Sequence, residues 1–217
     1  MKVNTNFKTI EEMITAEIVE KKSKFIATLI YADSVKEAEA KIDEIRKKFH
    51  DAKHHCFAYR IMGENSILEK ASDDGEPSGT AGATKLQLLS KNELINVVVV
   101  VTRYFGGILL GTGGLVRAYT EVTNQAINKA EIVKKYYGQL LKIPISYQNL
   151  SYFQYYCNKN HIAIIKINYT GVPFCMIEVT FEEKDKILHE MEERQFDIQE
   201  MEVIQERYFI KHRYEKD

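Results

Sequence analysis

The sequence predicts an α+β protein of two domains, and three observations carry that prediction. Short apolar or alternating runs typical of strands are interspersed with segments whose apolar residues recur at helical spacing. Val97–Val101 is an unbroken valine run that empties into a glycine-rich loop before a further helical pattern. After Lys134-Lys135-Tyr136-Tyr137 the pattern changes to strand, helix, strand, strand, helix, strand.

The elements follow in order. Thr15–Val19 and Lys24–Tyr31 read as two strands of a hairpin around Glu20-Lys21-Lys22-Ser23. Ser34-Val35-Lys36-Glu37 is a capping-box pattern. It opens a helix to about Phe49, with Val35, Ala38, Ile42, Ile45 and Phe49 on one face. His55–Ile61 and Ile67–Lys70 are strands around the turn Gly63-Glu64-Asn65. Residues 71–82 are rich in turn formers, and Ser78 or Thr80 is the expected cap of a helix through about Ser90. Leu94–Thr102 is a strand whose continuous apolar run predicts burial on both faces. A helix follows from about Gly113 to Ala130.

The expected domains are 1–135 and 136–217. In the second, Gly138–Ile145, Ile162–Tyr169 and Phe174–Phe181 are strands, with a last strand within 198–212. Gln148–Lys159 and Asp185–Arg194 are helices. That βαββαβ order is the ferredoxin-like split βαβ motif.

Composition bounds the function. Hydrophobic residues make up 45% and charged residues 28%, ordinary for a globular protein. The net charge of −1 gives no global argument for nucleic acid or membrane. Residues 1–135 carry a balance of +2 and the remainder −3, so any phosphate contact needs a local patch. Cys56, Cys157 and Cys175 are far apart and odd in number, which reads as reduced and cytoplasmic. The first residues lack the apolar core of a signal peptide, and no apolar run approaches the ~20 residues of a membrane span. A monomer is compatible with the sequence.

Candidate site residues cluster in the first domain. Five of the 11 glycines lie between Gly106 and Gly114. A strand running into such a loop and then a helix presents backbone N–H groups suited to an anion. The expected groove comprises His55, Tyr59, Arg60, Asp74, Gly75, Glu76, Ser78, Gly79, Thr80, Arg103, Tyr104, Gly106, Gly107, Gly113, Gly114 and Arg117. Neither glycine loop is a Walker A or Rossmann fingerprint. Glycine could serve there for tight packing instead. Asp73, Asp74 and Glu76 are open to three readings: Mg²⁺ ligands; ordinary turn residues, with Asp73 or Asp74 bonding its own backbone; or, for Glu76 or Asp74, a partner for Arg103 or Arg117 that joins two loops. His50 and His54 have the i, i+4 spacing of a zinc pair, but His50 falls at the helix end. Ser72 and Ser78 lack a nucleophile elbow, and His55 and Cys56, as strand neighbours, point to opposite faces. No catalytic residue, resident metal or cofactor is assigned. In the second domain Leu150, Phe153 and Cys157 read as core, with tyrosines at the margin.

Three segments taken together resemble the YigZ/IMPACT family. They are His55-Cys56-Phe57-Ala58-Tyr59-Arg60, then Ser72-Asp73-Asp74-Gly75-Glu76-Pro77-Ser78-Gly79-Thr80-Ala81-Gly82. The third is Arg103-Tyr104-Phe105-Gly106-Gly107, continuing through Gly111-Thr112-Gly113-Gly114-Leu115-Val116-Arg117-Ala118-Tyr119. The chain departs from the family at Ala83-Thr84, where a basic residue and a proline are usual. The resemblance implies a first domain like the second domain of a small-subunit ribosomal protein, with a left-handed βαβ unit. It implies a second domain like the last domain of elongation factor G. Eukaryotic relatives act in translational control, competing for an activator of a stress kinase that phosphorylates an initiation factor. RNA, the ribosome or a translation factor is therefore the implied partner, without a membrane. A Mg²⁺-dependent enzyme acting on a nucleotide or other phosphorylated small molecule, and a protein–protein adaptor, are the alternatives.

Overall fold

The computed structural model describes residues 5–193 and 201–211. The chain forms two compact units that part within one strand, between Val133 and Lys134.

The first unit holds strands β1 (Phe7–Ile10), β2 (Ile14–Glu20), β3 (Ser23–Tyr31), β4 (His54–Met62), β5 (Ile67–Ser72) and β6 (Val97–Tyr104). Its helices are α1 (Val35–Lys48), α2 (Gly82–Lys91) and α3 (Gly111–Lys129). The sheet order is β2-β3-β6-β4-β5, antiparallel at every step. β3 and β4 therefore run parallel on either side of β6, joined by α1. The alternation of side chains along β6 divides the core. Val97, Val99 and Val101 pack with Leu115, Tyr119, Val122 and Ala126 under α3. Val98 and Val100 pack with Ile42 and Ile45 of α1 and with Phe57 and Ile61. Both faces are covered, as the valine run predicts, although the sheet is antiparallel.

The β2–β3 hairpin closes through Lys21 (φ 45°) and Lys22 (φ 64°) between the paired residues Glu20 and Ser23. Two residues of positive φ make a two-residue type I′ turn, which the lysines do not advertise. The box at α1 also differs in detail. Ser34 Oγ accepts from the Glu37 N–H at 3.2 Å, but the Glu37 carboxylate takes the N–H of Asp33 at 2.9 Å, one residue before the cap. The sequence pattern does not announce β1. This strand is four residues long, neighbours β7 (Ile132–Pro144) in the sheet order, and makes a parallel bridge from Lys8 to Leu94.

The second unit contains β7 (Ile132–Pro144), α4 (Tyr147–Lys159), β8 (Ala163–Asn168), β9 (Phe174–Val179), α5 (Phe181–Glu193) and β10 (Glu202–Ile210). The order β10-β7-β9-β8 is antiparallel throughout. This is the ferredoxin-like arrangement. Leu150, Phe153 and Cys157 of α4 are core, with Ile143, Cys175 and Ile177 beneath them. α5 begins four residues before the expected Asp185, because Thr180 and Glu183 cap each other reciprocally. Arg194, residues 198–200 and His212, which the sequence places in this helix and the last strand, lie outside the described residues.

Candidate functional site

The loop from Ser72 to Gly82 folds around one carboxylate. Asp73 Oδ1 accepts from the N–H groups of Ala81 (2.9 Å) and Gly82 (2.7 Å), and Oδ2 from Gly79 (2.8 Å). Asp73 thus caps α2 from eight residues upstream. The expected caps do not serve: Ser78 is exposed, and the Thr80 hydroxyl donates to the Pro77 carbonyl at 2.7 Å. Burial pushes the Asp73 carboxyl up, but the three N–H donors and the nearby Lys85 outweigh it and hold the group below its ordinary value.

Asp74 (φ 44°) fastens the same loop to β4. Its Oδ2 accepts from the His55 N–H at 2.6 Å, and its carbonyl meets His54 Nδ1 at 2.7 Å. Gly75 follows against the His54 ring.

Glu76 then enters the protein. Its Oε1 receives Arg103 Nη1 at 2.6 Å and the Tyr119 hydroxyl at 2.8 Å. Arg103 Nη2 continues to Ser23 Oγ at 3.3 Å, and Ser23 Oγ also accepts from the Gly106 N–H at 3.2 Å. This buried chain ties the β5–α2 loop, β6, α3 and the β2–β3 turn together. It realises the loop-joining reading of Glu76 and Arg103. A Cβ on Gly106 would lie 2.0 Å from the Lys22 carbonyl carbon, so only glycine lets the two turns meet.

Around this chain lie groups that titrate far from their usual range. Burial lowers Lys85 to about 8, and its ammonium sits 4.1 Å from the Tyr119 ring centre while donating to the Ala81 carbonyl at 3.1 Å. Burial raises the Cys56 thiol to about 11 and raises Tyr119 as well. Cys56 donates to the Asp73 carbonyl at 2.9 Å. A thiol so placed is a packing group, not a nucleophile.

Beside the chain opens a cleft of about 420 Å³ lined by Lys53, His54, Glu76, Pro77, Arg103, Phe105, Leu109, Leu110, Gly111, Thr112 and Leu115, with Gly75 at its edge. The N-terminus of α3 faces it without a side-chain cap and without an acidic residue in its first turn. Gly111 (φ +72°) makes the sharp entry into that helix. The loop before it leaves Leu109 82% exposed and Phe105 46% exposed.

The structure therefore brings together part of the expected groove. Gly75, Glu76 and Arg103 line the cleft, with Gly106, Gly107, Gly113 and Gly114 in the loop and first turn beside it. Gly79 and Asp74 shape the neighbouring loop. Five expected residues face elsewhere: His55, Tyr59 and Tyr104 by the strand period, Arg60 and Arg117 by their distance along β4 and α3. His55 and Tyr59 point to the α1 side, where His55 Nε2 meets the Phe49 carbonyl and the Tyr59 hydroxyl donates to Glu39. Tyr104 bonds Asp51 at 2.8 Å. Arg60 is buried at the far end of β4, held by Glu69 at 2.7 Å and the Leu94 carbonyl. Arg117 is exposed on a separate groove of about 470 Å³ with Ile18, Lys21 and Val116; Leu110 walls both.

The Mg²⁺ reading of the three carboxylates does not fit. Asp73 is engaged by loop N–H groups, Asp74 by β4, and Glu76 by Arg103 and Tyr119. Among the described residues no cluster of three or more His, Cys, Asp or Glu is arranged to hold a metal. Sequence reasoning gives no groove role to His54, Lys85, Phe105, Leu109 or Tyr119, although it weighs His54 with His50 as a zinc pair. His54 is signalled by its pairing opposite Arg103 once β4 and β6 are in register; Lys85 carries no sequence signal.

Known proteins resemble this chain across these elements. Residues 21–127 match the Impact N-terminal domain. The chain is 37% identical over 147 residues to an IMPACT family member of Haemophilus influenzae, spanning 67% of this chain and 71% of the relative. It is 50% identical over 111 residues to the IMPACT family member YvyE of Bacillus subtilis, covering 51% of each chain, so it spans about half the length of that relative. A solved structure described as a hypothetical protein superposes with a TM-score of 0.61 at 29% identity, over 94% of this chain and 98% of that one. Among the described residues no helix is long and apolar enough to cross a membrane.

Proposed function

This chain belongs to the IMPACT family, and from that premise and the geometry of the cleft we propose that it is a binding protein of translational control that docks a protein partner. The partner is a translation factor or a ribosome-associated protein, and the docking surface is the β6–α3 loop with the cleft behind it. One observation carries the reading. Glu76 and Arg103 turn inward and pair, and Asp73 and Asp74 are spent on backbone N–H groups, while Phe105, Ile108 and Leu109 of the β6–α3 loop face outward. Exposed apolar side chains in one contiguous loop are the mark of a protein contact.

Direct RNA binding through arginine has less support. Of Arg60, Arg103 and Arg117, the first two are buried and paired, and only Arg117 is exposed. Three buried, unpaired cysteines suit a reducing compartment, and we place the protein's work in the cytoplasm.

Co-sedimentation with ribosomes across a salt series, with and without nuclease, tests the reading. Apolar docking predicts association that persists as salt rises and after nuclease treatment. A steep loss with salt is the signature of phosphate contacts and would return the account to RNA.

A further inference from the structure

β2 is an outermost strand of the first sheet, and its outer edge is bare. Glu20 and Ser23 close a two-residue hairpin, so this pair exchanges both backbone bonds, as do the pairs at Ile18, Ala16 and Ile14. The N–H and C=O groups of Thr15, Glu17 and Val19 therefore point away from β3. Among the described residues no strand pairs with them. A bare edge is a template for another strand, and proteins blunt such edges with lysine, proline or a bulge. Three other outer strands carry such devices: Lys70 lies on β5, and β8 and β10 are bulged beside Lys166 and Val203. β2 has none of them. Its residues are Ile14-Thr15-Ala16-Glu17-Ile18-Val19-Glu20, and its register with β3 is unbroken.

The surroundings of this edge select the chemistry of its occupant. On one face Ile14, Ala16 and Ile18 pack toward the α3 side of the sheet. Beside them lies the groove of about 470 Å³, with Ile18, Leu110, Val116 and Ala118 in its wall. Its charges balance, Lys21 and Arg117 against Glu20 and Glu121. On the other face Glu17, paired with Lys24 at 2.9 Å, is the only charged residue from Thr15 to Val19, and Val19 is 67% exposed. At the Ile14 end a second hollow of about 300 Å³ sets Glu11, Glu12 and Glu131 against the single cation Lys129. Among the described residues none of these three acids forms an ion pair. The edge is thus apolar toward α3 and acidic toward its start.

We propose that the β2 edge takes up an extended segment of a partner protein as a further antiparallel strand, one with alternating apolar residues and lysine or arginine toward its C-terminal end. Main-chain bonds to Thr15, Glu17 and Val19 supply the affinity, and the side chains set the choice of partner. The apolar face of the added strand lies in the groove beside α3. A basic residue opposite Glu17, and others beyond Ile14, meet the acids there. Charge argues against a second copy in this place. Full overlap of two antiparallel β2 edges puts Glu17 opposite its own counterpart, where like charges are destabilising, and Ile14 opposite Glu20. It gains only Glu12 against Lys22, outside the strand.

The test titrates the full chain with the acetylated and amidated peptide Ser-Thr-Val-Lys-Val-Thr-Val-Lys-Lys. Two comparison peptides have every lysine replaced by glutamate, or the first lysine N-methylated so that its N–H is lost from the new ladder. Amide 1H–15N shifts and hydrogen exchange of Thr15, Glu17 and Val19 report binding. The parent peptide is expected to shift these amides saturably and to slow their exchange about tenfold or more. It is expected to bind about tenfold tighter than either comparison peptide. Val19→Pro removes one outward N–H without touching the β2–β3 bonds and should weaken the parent peptide about fivefold. Glu11→Lys with Glu12→Lys leaves the strand intact and should weaken it by about the same factor at low salt. Equal binding of the lysine and glutamate peptides, full binding of the N-methylated peptide, or no shift at β2 would overturn the proposal. So would sedimentation of the chain as a dimer with these three amides already protected, because a second copy then holds the edge.

Discussion

Lys85 Nζ lies 4.1 Å from the centre of the Tyr119 ring, with both residues buried. A cation held over a ring without a salt bridge among the described residues is strongly disfavoured by lost hydration, and only in part recompensed by the ring. The pair joins α2 to α3 beside Cys56 of β4, whose thiol meets the Tyr119 hydroxyl.

That arrangement makes stability depend on pH with a definite sign. Lys85 is lowered to about 8 in the fold from 10.5, so between those values the unfolded chain binds more protons and stability rises with pH. Cys56 is raised from 9.0 to about 11, so above pH 9 it opposes that rise. Cys157 and Cys175 are raised from 9.0 as well, to about 12 and about 11, so urea melts should show stability climbing from about pH 8 to 9 and falling beyond. Lys85→Met should remove the climb and stabilise the protein at pH 7 by about 1–3 kcal/mol. Each tenfold loss of proton affinity on folding is worth roughly 1.4 kcal/mol, and the lost ring contact subtracts from the gain.

Glu76 and Arg103 behave as a buried pair. Arg103→Met leaves a carboxylate without its partner and should cost about 3–5 kcal/mol, and Glu76→Gln somewhat less, because the amide oxygen still accepts from Tyr119. The double variant should cost well under the sum, with a coupling of about 2 kcal/mol. Additive effects in chemical denaturation would show that the pair is not coupled as the 2.6 Å contact requires.

Asp73→Ala should destabilise by about 2 kcal/mol, since three N–H groups lose a charged acceptor. The Asp73 carboxyl is depressed in the fold, so its contribution is present above its unfolded value of 3.8 and disappears as pH falls through the lower folded value. The variant should therefore lose part of the wild-type acid transition below pH 4, measured by circular dichroism.

Neighbouring glycines separate two causes. Gly106→Ala drives a Cβ into the Lys22–Ser23 backbone and should cost more than about 3 kcal/mol, as overpacking against an unyielding main chain does. A Cβ added at Gly107 (φ +84°) would meet nothing within 4 Å, so Gly107→Ala carries only backbone strain, about 1–2 kcal/mol. Similar melting temperatures for the two variants would contradict the close approach of the turns.

Much of the fold is legible in the sequence because periodicity reports burial directly. The valine run declares a doubly covered strand, and the α4 positions Leu150, Phe153 and Cys157 declare a core face. The site is legible as a region and less so as a set of side chains. The sequence points to His55 and Tyr59 in the groove, but register places His54 there instead, on the opposite face from its neighbour His55. Thr80 has the chemistry of a cap, yet the remote Asp73 takes that role, which local spacing does not encode. Arg103 and Arg117 look equivalent in sequence; one is buried against Glu76 and the other exposed on a second groove.

The most direct test compares ribosome co-sedimentation of the wild-type chain, Leu109→Asp and a control, Lys166→Glu on the β8 strand of the second unit. Docking through the β6–α3 loop predicts that Leu109→Asp abolishes association while the control retains it, with both variants folded by circular dichroism. Association unchanged by Leu109→Asp, or lost only in Lys166→Glu, would contradict the account.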